Sequence, residues 1–418
     1  MPSIFTLFKS LPAQLILCLI LGLTLGTHIP LEVADILYTI SCLIKDLLMY
    51  ALPFIIFSYM WAALSAFGNR GFVLVILTFL LIIVANTVTL LTAYGIGSLI
   101  LPTIIDGSIT RLATDNIETV TCLWSIPDWQ YIKPVHGMIA GMLVGFLTMV
   151  THSPELRRRG FLMRDLATAG LKKGFIPVLP LYVLGFVMKL SRDGHLGSLM
   201  HGYAHTFLFI CILIIAYLVF WYFVGSYFNI SKCIGSLREM LPAGITGLTT
   251  MSSSAAMPVT LDATKKNIND REFADFIIPT SVNAHLMGDG LSITITAMAL
   301  LLMSGHGLPT WPVFLMYTVH YCLVKFSAAG VPGGGVIVIL PVVRDYLGLD
   351  EATTSLLATI YMLQDPILTS ANVMGNGAFA MVTHRLLKPM LGKESQPETA
   401  PNQAMQQQFP LSHRGVNL

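Results

Sequence analysis

A glycine-rich segment interrupts the apolar part of the chain at residues 327–335, which read Ser-Ala-Ala-Gly-Val-Pro-Gly-Gly-Gly. Glycine and proline both disfavour a continuous helix, so the segment predicts irregular backbone. Each unpaired backbone group costs on the order of several kcal/mol in hydrocarbon, and such a break is therefore tolerated only inside protein or beside water. A second, polar interruption lies at residues 249–258. Two interruptions in one apolar chain indicate a binding site near the middle of a membrane.

The composition places the chain in a membrane, because 55% of its residues are hydrophobic, 11% are charged and the mean hydropathy is +0.73. The net charge of +2 does not indicate a nucleic-acid partner, since membrane proteins carry basic residues for orientation. We find no nucleophile, nucleotide motif or cofactor motif that would indicate an enzyme. The cysteines are scattered without a Cys-x-x-Cys pair and predict neither a disulfide framework nor a metal site: Cys18, Cys42, Cys122, Cys211, Cys233 and Cys322.

Eight apolar runs approach or exceed the ~20 residues that cross a bilayer. They are residues 11–26, 36–67, 72–101, 135–150, 166–190, 203–227, 277–303 and 349–386. The first is interpreted as a span rather than a signal peptide, because no small-residue cleavage motif follows it. The two interruptions fall between the sixth and seventh runs and between the seventh and eighth. The predicted fold is an all-α membrane protein with eight transmembrane helices and two re-entrant helical hairpins.

The basic residues predict the orientation of these spans, because they concentrate in cytoplasmic loops. With a cytoplasmic N-terminus, most of them fall on the cytoplasmic side of a bacterial-type inner membrane, and the C-terminus is cytoplasmic as well. Residues 102–133 are then an extracytoplasmic loop. The tail at 391–418 lacks apolar periodicity and is predicted to be disordered. The residues assigned to the cytoplasmic side are Lys9, Arg70, Arg157, Arg158, Arg159, Arg164, Lys172, Lys173, Lys232, Arg238, Lys265, Lys266, Arg271, Arg385 and Lys388.

Four ordered motifs together resemble the dicarboxylate/amino acid:cation symporters, which include the glutamate transporters and the bacterial serine/threonine symporters. Residues 252–260, Ser-Ser-Ser-Ala-Ala-Met-Pro-Val-Thr, are similar to the serine-rich tip of that family's first hairpin. Residues 329–333, Ala-Gly-Val-Pro-Gly, resemble the tip of its second hairpin. Residues 279–290 occupy the place of its unwound seventh helix, and residues 363–372 resemble the eighth helix of the serine/threonine branch. The resemblance covers nearly the whole chain.

The resemblance implies a homotrimer that carries its substrate by an elevator movement. Residues 1–230 would be mainly the scaffold helices 1, 2, 4 and 5, interleaved with helices 3 and 6 of the transport domain. Residues 231–390 would form the core of the transport domain. The serine tip and Asn372 would hold an α-carboxylate, and Asp365 an ammonium group. The implied substrate-binding residues are Ser252, Ser253, Ser254, Val331, Pro332, Gly333, Asp365, Thr369 and Asn372.

The residue types support these roles independently, since N–H groups at a broken helix end suit an anion and an intramembrane carboxylate suits a cation. Two alternatives, in which these residues have only a structural role, stay open. Asp365 could be a structural acid satisfied by a hydroxyl or a backbone N–H group, and the serines could form an ordinary helix contact.

The chain departs from the family pattern in the residues expected to recognise an acidic side chain. Members with acidic substrates place an arginine three residues after the position of Asp365, where this chain has Leu368, or just before the hairpin serines, where it has Met251. A second substrate carboxylate would lose its bidentate guanidinium partner. The sequence therefore predicts a neutral substrate side chain.

The residues expected to bind sodium also differ. Asn376 replaces a carboxylate of the eighth helix, so a hard cation would lose its full negative partner. In the seventh helix, alignment without a gap puts His285 and Met287 at the family's Asn and Asp. A two-residue insertion puts Asp289 at the Asp, and it is favoured because it also aligns the Ile-Thr-Ile-Thr run at 293–296. His285 and Asp289 are candidates to carry a proton or simply to form internal hydrogen bonds.

Lys325 lies just before the second hairpin tip, where the family builds a sodium site from backbone carbonyls. Its ammonium would replace the ion, or else its side chain would extend to the membrane interface. The candidate coupling residues are thus His285, Asp289, Lys325 and Asn376, with H+ or Na+ as the coupling cation.

The sequence predicts a secondary transporter of a small, neutral amino acid or related zwitterion, with proton coupling or exchange open. A sodium-coupled neutral amino-acid symporter, a proton-coupled dicarboxylate carrier, and a channel or non-transporting receptor are the alternatives. The expected partners are the substrate, membrane lipid and further copies of the chain. No metal, cofactor or nucleic acid is expected.

Overall fold

The computed structural model describes residues 11–66, 72–105, 120–124, 126, 134–192, 195–328, 330 and 332–391. Every regular element in these ranges is a helix. The prediction of an all-α chain is therefore confirmed for the described residues. Most of the predicted loop at 102–133, the predicted tail at 391–418 apart from its first residue, and Val331 lie outside them.

The described residues up to 192 form six helices and one π-helical turn. Helices α5 and α6 continue into one another through that turn, Leu171–Phe175. The helices are α1 (Leu11–Leu25), α2 (Leu31–Ala66), α3 (Phe72–Ile104), α4 (Pro134–Thr151), α5 (Pro154–Gly170) and α6 (Ile176–Arg192).

Nine helices follow in the described residues from 195 to 391, beginning with α7 (His195–Gly225). The first predicted hairpin consists of α8 (Ile230–Thr250) and α9 (Ser253–Ile268), and the seventh apolar run is divided into α10 (Arg271–Ser281) and α11 (Met287–Met303). The second predicted hairpin consists of α12 (Trp311–Lys325), α13 (Gly334–Ile337) and α14 (Leu340–Leu347), and α15 (Glu351–Leu391) ends the described chain.

Three helical segments of the described chain are long and apolar enough to cross a membrane: Ile76–Ile104, Pro154–Lys189 and Tyr203–Gly225. Shorter apolar helices occur at Tyr50–Ala62, His136–Thr151 and Met287–Met303. The eight predicted runs are all largely helical, but the number that span the bilayer stays a prediction. Helix α15 contains the eighth predicted run but is not one of the three segments, because buried polar residues such as Gln364, Asp365 and Asn372 interrupt its apolar sequence.

The helices pack in two groups. Helices α1, α2, α4, α5 and α6 contact one another, whereas α15 packs against α7, α8, α9 and α11, and α3 packs against α11. In the first group, three glycines on one face of α4 lie against α2. An added Cβ at Gly137 would overlap the carbonyl of Pro53, and one at Gly141 would crowd Phe57 and Met60. Small residues at four-residue spacing allow this close approach.

The two hairpin tips are turns with left-handed backbone. In the first, Met251 has φ 51°, and the Ser252 hydroxyl accepts a hydrogen bond from the Ala255 N–H (3.2 Å), which caps the start of α9. In the second, Gly333 has φ 72°, a conformation that glycine adopts without steric cost. Between α10 and α11, residues 282–286 lack regular structure, so a third break lies beside the two tips.

Candidate functional site

Asp365 lies at the point where α15 meets the second hairpin. Its Oδ2 accepts a hydrogen bond from the Gly333 N–H (2.7 Å), and its Oδ1 accepts one from the Thr369 hydroxyl (2.9 Å), one turn further along α15. The left-handed backbone of Gly333 places that N–H toward α15. The carboxylate is buried, and both of its oxygens accept a hydrogen bond. These bonds offset the cost of burying the group, because a buried charge is stable only when it is paired or hydrogen-bonded.

The two hairpin tips contact each other. The Ser252 hydroxyl donates to the carbonyl of Gly330 (2.5 Å), and the Ser254 N–H donates to the same oxygen (3.4 Å). The Ser254 hydroxyl donates to Oδ1 of Asn283, in the break between α10 and α11 (3.3 Å). The predicted residues Ser253, which is buried, and Pro332, which is half-buried, belong to the same tips. The three irregular segments therefore converge.

Asn372 binds the start of α11. Its side-chain oxygen accepts hydrogen bonds from the N–H groups of Gly288 (2.8 Å) and Asp289 (3.3 Å), and its Nδ2 donates to Asp289 Oδ1 (2.7 Å). The first N–H groups of a helix have no partner within the helix, so this side chain satisfies two of them. The carboxamide of Asn372 thus uses both acceptor positions of its oxygen and one of its two N–H donors within the protein.

Lys325 and Asp289 form a completely buried ion pair. Their Nζ–Oδ2 distance is 2.7 Å, and their side chains are 0% and 1% exposed. The ammonium also donates to the carbonyl of Gly335 (3.1 Å) and lies 5.2 Å from the ring centroid of Tyr321. The alternative that Lys325 extends to the membrane interface is wrong, because the side chain has no exposed surface. Instead it joins both arms of the second hairpin to α11.

Gly335 provides the space for this ion pair. A Cβ at this position would overlap Asp289 Oδ2 and the hydroxyl of Tyr361. Any larger residue would therefore force the hairpin and the carboxylate apart.

Asn376 directs its amide nitrogen at two backbone carbonyls. Nδ2 donates to the carbonyls of His285 (3.1 Å) and Asn372 (2.9 Å), whereas Oδ1 has no hydrogen-bond partner among the described residues. The His285 ring stacks on Phe379 with 4.5 Å between ring centroids, and within the described part of the chain its Nδ1 has no hydrogen-bond partner. Of the four candidate coupling residues, Asp289 and Lys325 are in direct contact, and Asn376 contacts the backbone of His285.

Several polar residues of this region were not singled out from the sequence. Asn283 receives the Ser254 hydroxyl, and a chain of side chains links α7, α11 and α15. In that chain the Gln364 amide donates to the Tyr203 hydroxyl (2.5 Å) and the Ser292 hydroxyl donates to Gln364 Oε1 (2.6 Å). The sequence signal that could have identified these residues is the presence of polar side chains within apolar helices. No group of three His, Cys, Asp or Glu residues that could hold a metal occurs in the described part of the chain.

Comparison with known proteins identifies the class. The family model described as the sodium:dicarboxylate symporter family matches residues 11–386. The chain belongs to that family, and the resemblance inferred from its motifs is confirmed.

Individual relatives are more distant. Over 153 residues the chain is 29% identical to an excitatory amino acid transporter of Caenorhabditis elegans, covering 36% of this chain and 30% of the relative. It is 28% identical to human excitatory amino acid transporter 2 over 150 residues, or 36% of this chain and 26% of the relative. It is 24% identical to human excitatory amino acid transporter 1 over 300 residues, or 67% and 53%. Each alignment spans less than two thirds of the relative's length.

Proposed function

We propose that the protein is a secondary transporter for a small neutral amino acid, and that a lysine of its own replaces a coupled sodium ion. The observation that carries this proposal is the buried contact of the Lys325 ammonium with Asp289 and the Gly335 carbonyl. A carboxylate and a backbone carbonyl are the oxygen ligands that a hard cation uses in proteins. Here an ammonium fixed to the chain holds both of them.

Asp365 is the proposed partner of the substrate ammonium. In the described structure its Oδ2 is bound by the Gly333 N–H of the second hairpin tip. Opening of that hairpin would free this oxygen, while Thr369 continues to hold Oδ1. A carboxylate has about four acceptor positions, so it can accept an ammonium without losing the threonine. The second hairpin would therefore act as the gate of the site.

The serine tip is the proposed site for the substrate α-carboxylate. Ser253 and Ser254 lie in the first turn of α9, where the positive end of the helix dipole favours an anion. The Ser254 N–H now donates to the Gly330 carbonyl of the second hairpin, and opening of that hairpin would free it. Asn372 was also predicted for this role, but its amide already binds α11 at two positions. We propose that Asn372 orders the site and that the serine tip contacts the anion.

The proposed preference for a neutral side chain rests on Leu368 and Met251. Both are 1% exposed and apolar at the two positions where acidic-substrate members carry an arginine. An acidic side chain would be desolvated there without a guanidinium partner.

Two further contacts support sodium independence. The Asn376 amide donates to two carbonyls at the position where the family has a carboxylate, so donors of the protein occupy these oxygens.

His285 is a poor candidate for proton coupling, because its ring stacks on Phe379 and its Nδ1 has no acidic partner among the described residues. Protonation of Asp289 would leave the Lys325 charge without its carboxylate. Sodium-coupled symport is the second candidate, favoured by the description of the family.

The proposal includes the family's architecture. Helices α1, α2, α4, α5 and α6 pack mainly against one another, with smaller contacts from α6 to α7 and from α1 and α6 to α15, and this division supports a scaffold and a moving domain. We propose that three chains form the functional trimer in an inner membrane, with both termini cytoplasmic and the mobile group crossing as an elevator. Cross-linking of the purified protein tests the trimer directly.

The predicted selectivity has a direct test in reconstituted liposomes. We expect unlabelled serine, threonine or alanine to compete with labelled serine at concentrations at least about tenfold lower than aspartate or glutamate, a difference of about 1.4 kcal/mol. Equal or stronger competition by glutamate would contradict the neutral pocket. Liposomes without protein control for passive uptake.

A further inference from the structure

The ammonium of Lys325 contacts both arms of the second hairpin and the helix beside them. Lys325 is the last residue of α12, and its Nζ donates to Asp289 Oδ2 on α11 (2.7 Å) and to the carbonyl of Gly335 on α13 (3.1 Å). Asp289 is held in turn by α15, since its Oδ1 accepts a hydrogen bond from Asn372 Nδ2 (2.7 Å). The two contacts of Lys325 form a clamp that joins the arms to each other and to the body of the protein.

The clamp is harder to break than the contact between the two hairpin tips. The side chains of Lys325 and Asp289 are 0% and 1% exposed, so water cannot replace either partner, and separation leaves a buried charge uncompensated. The tip contact between the Ser252 hydroxyl and the Gly330 carbonyl joins neutral, partly buried groups, which exchange partners with water at small cost. We expect opening of the hairpin to break the tip contacts and to leave the clamp intact.

The side chains around Gly333 also restrict movement of the tip. A Cβ at this position would lie 2.6 Å from Met362 Cε on α15 and 3.8 Å from Leu179 Cδ1 on α6. Both side chains are buried. The tip therefore has neighbours on two sides, and a wide opening requires the arms themselves to move apart.

We infer that Lys325 also sets the size of the substrate, because the clamp keeps the arms of the second hairpin together while the gate opens. This inference rests on the proposed function, in which the hairpin opens to free Asp365. A short side chain, such as that of serine, alanine or threonine, enters through the opened tip. A bulky side chain requires the arms to separate, which withdraws Lys325 from Asp289 or from the Gly335 carbonyl. The substrates are then α-amino acids with short side chains.

Calorimetric binding to the full chain in lipid nanodiscs tests this size limit with L-serine and O-benzyl-L-serine, which differ only in a benzyl group. We expect the wild type to bind serine at least about tenfold more tightly. The double variant Lys325→Met with Asp289→Asn removes both charges and leaves neither unpaired, and it should reduce this preference to about twofold or less. Lys266→Met with Glu239→Gln is the matched control, because this exposed pair on the first hairpin should leave the preference unchanged.

Met362→Ala distinguishes the clamp from a simple lack of space. It enlarges the space beside Gly333 without changing the ion pair, so most of the preference for serine should remain. The inference is overturned if the wild type binds both amino acids equally, or if the double variant keeps the wild-type preference while Met362→Ala loses it.

Hydrogen exchange of the same proteins, measured by mass spectrometry without added amino acid, reports on the clamp itself. Backbone amides of α12 and α14 should exchange at least about tenfold faster in the double variant than in the wild type, whereas those of α4 should not change. Equal exchange of both arms in the two proteins would overturn the inference. If the wild type binds neither amino acid but the expected exchange difference is found, the proposed substrate is wrong and the clamp is still supported.

Discussion

Replacing Asp365 by asparagine should abolish uptake of any substrate that carries an ammonium group. The substitution removes the buried negative charge but keeps the shape of the side chain. Loss of one partner of a buried, hydrogen-bonded charge pair costs at least about 2 kcal/mol, which corresponds to a loss of roughly 30-fold or more in binding. Uptake of labelled serine into proteoliposomes measures the effect.

The variant should still fold. An asparagine oxygen can accept the Gly333 N–H, and its amide can donate to the Thr369 hydroxyl, so both contacts of Asp365 have a replacement. Asp350→Asn is the matched control, because Asp350 is an exposed acid at the start of the same helix whose Oδ1 accepts the Thr353 N–H. Normal uptake by Asp365→Asn would show that the acid is only structural.

Replacing Lys325 by methionine should strongly destabilise the protein and stop transport. Methionine has a similar length, but it leaves the Asp289 carboxylate buried without a counter-charge and the Gly335 carbonyl without its donor. Breaking a buried ion pair on one side costs about 3–5 kcal/mol. The temperature of thermal unfolding in detergent and serine uptake report the two effects.

The double variant Lys325→Met with Asp289→Asn distinguishes a charge effect from a packing effect. Removing both charges should restore a large part of the lost stability, because the uncompensated carboxylate is gone. Arg159→Met is the control, since Arg159 pairs with Glu155 on the exposed surface of α5 and its loss should leave the unfolding temperature unchanged. A Lys325→Met protein with wild-type stability and uptake would refute the role assigned to this ion pair.

The sequence was sufficient to locate the elements of the site. Apolar runs and glycine- and serine-rich breaks mark the two hairpins, because backbone irregularity inside a membrane requires those residues. The left-handed backbone at Gly333 and the helix cap at Ser252 agree with their residue types, because glycine adopts positive φ without steric cost and serine is a preferred N-cap. Asp365 is recognisable as a lone acid in an apolar helix.

The contacts among these elements were not predictable in the same way. Lys325 and Asp289 are 36 residues apart, and the distance between them depends on how the second hairpin packs on α11. The sequence pattern alone did not distinguish a buried Lys325 from one whose side chain extends to the membrane interface. Asn372 was predicted to hold substrate, but the start of α11 presents two N–H groups to it and occupies its amide.

The central claim, that Lys325 takes the place of a sodium ion, is tested most directly by uptake of labelled serine into proteoliposomes with all sodium replaced by choline. The account predicts that uptake continues at a similar rate without sodium, saturates with serine and is lost in Lys325→Met. A proton gradient of either direction should change the rate little, because neither His285 nor Asp289 is expected to carry a proton. Uptake that depends strictly on an inward sodium gradient, and that persists in Lys325→Met, would contradict the account and indicate a sodium-coupled symporter.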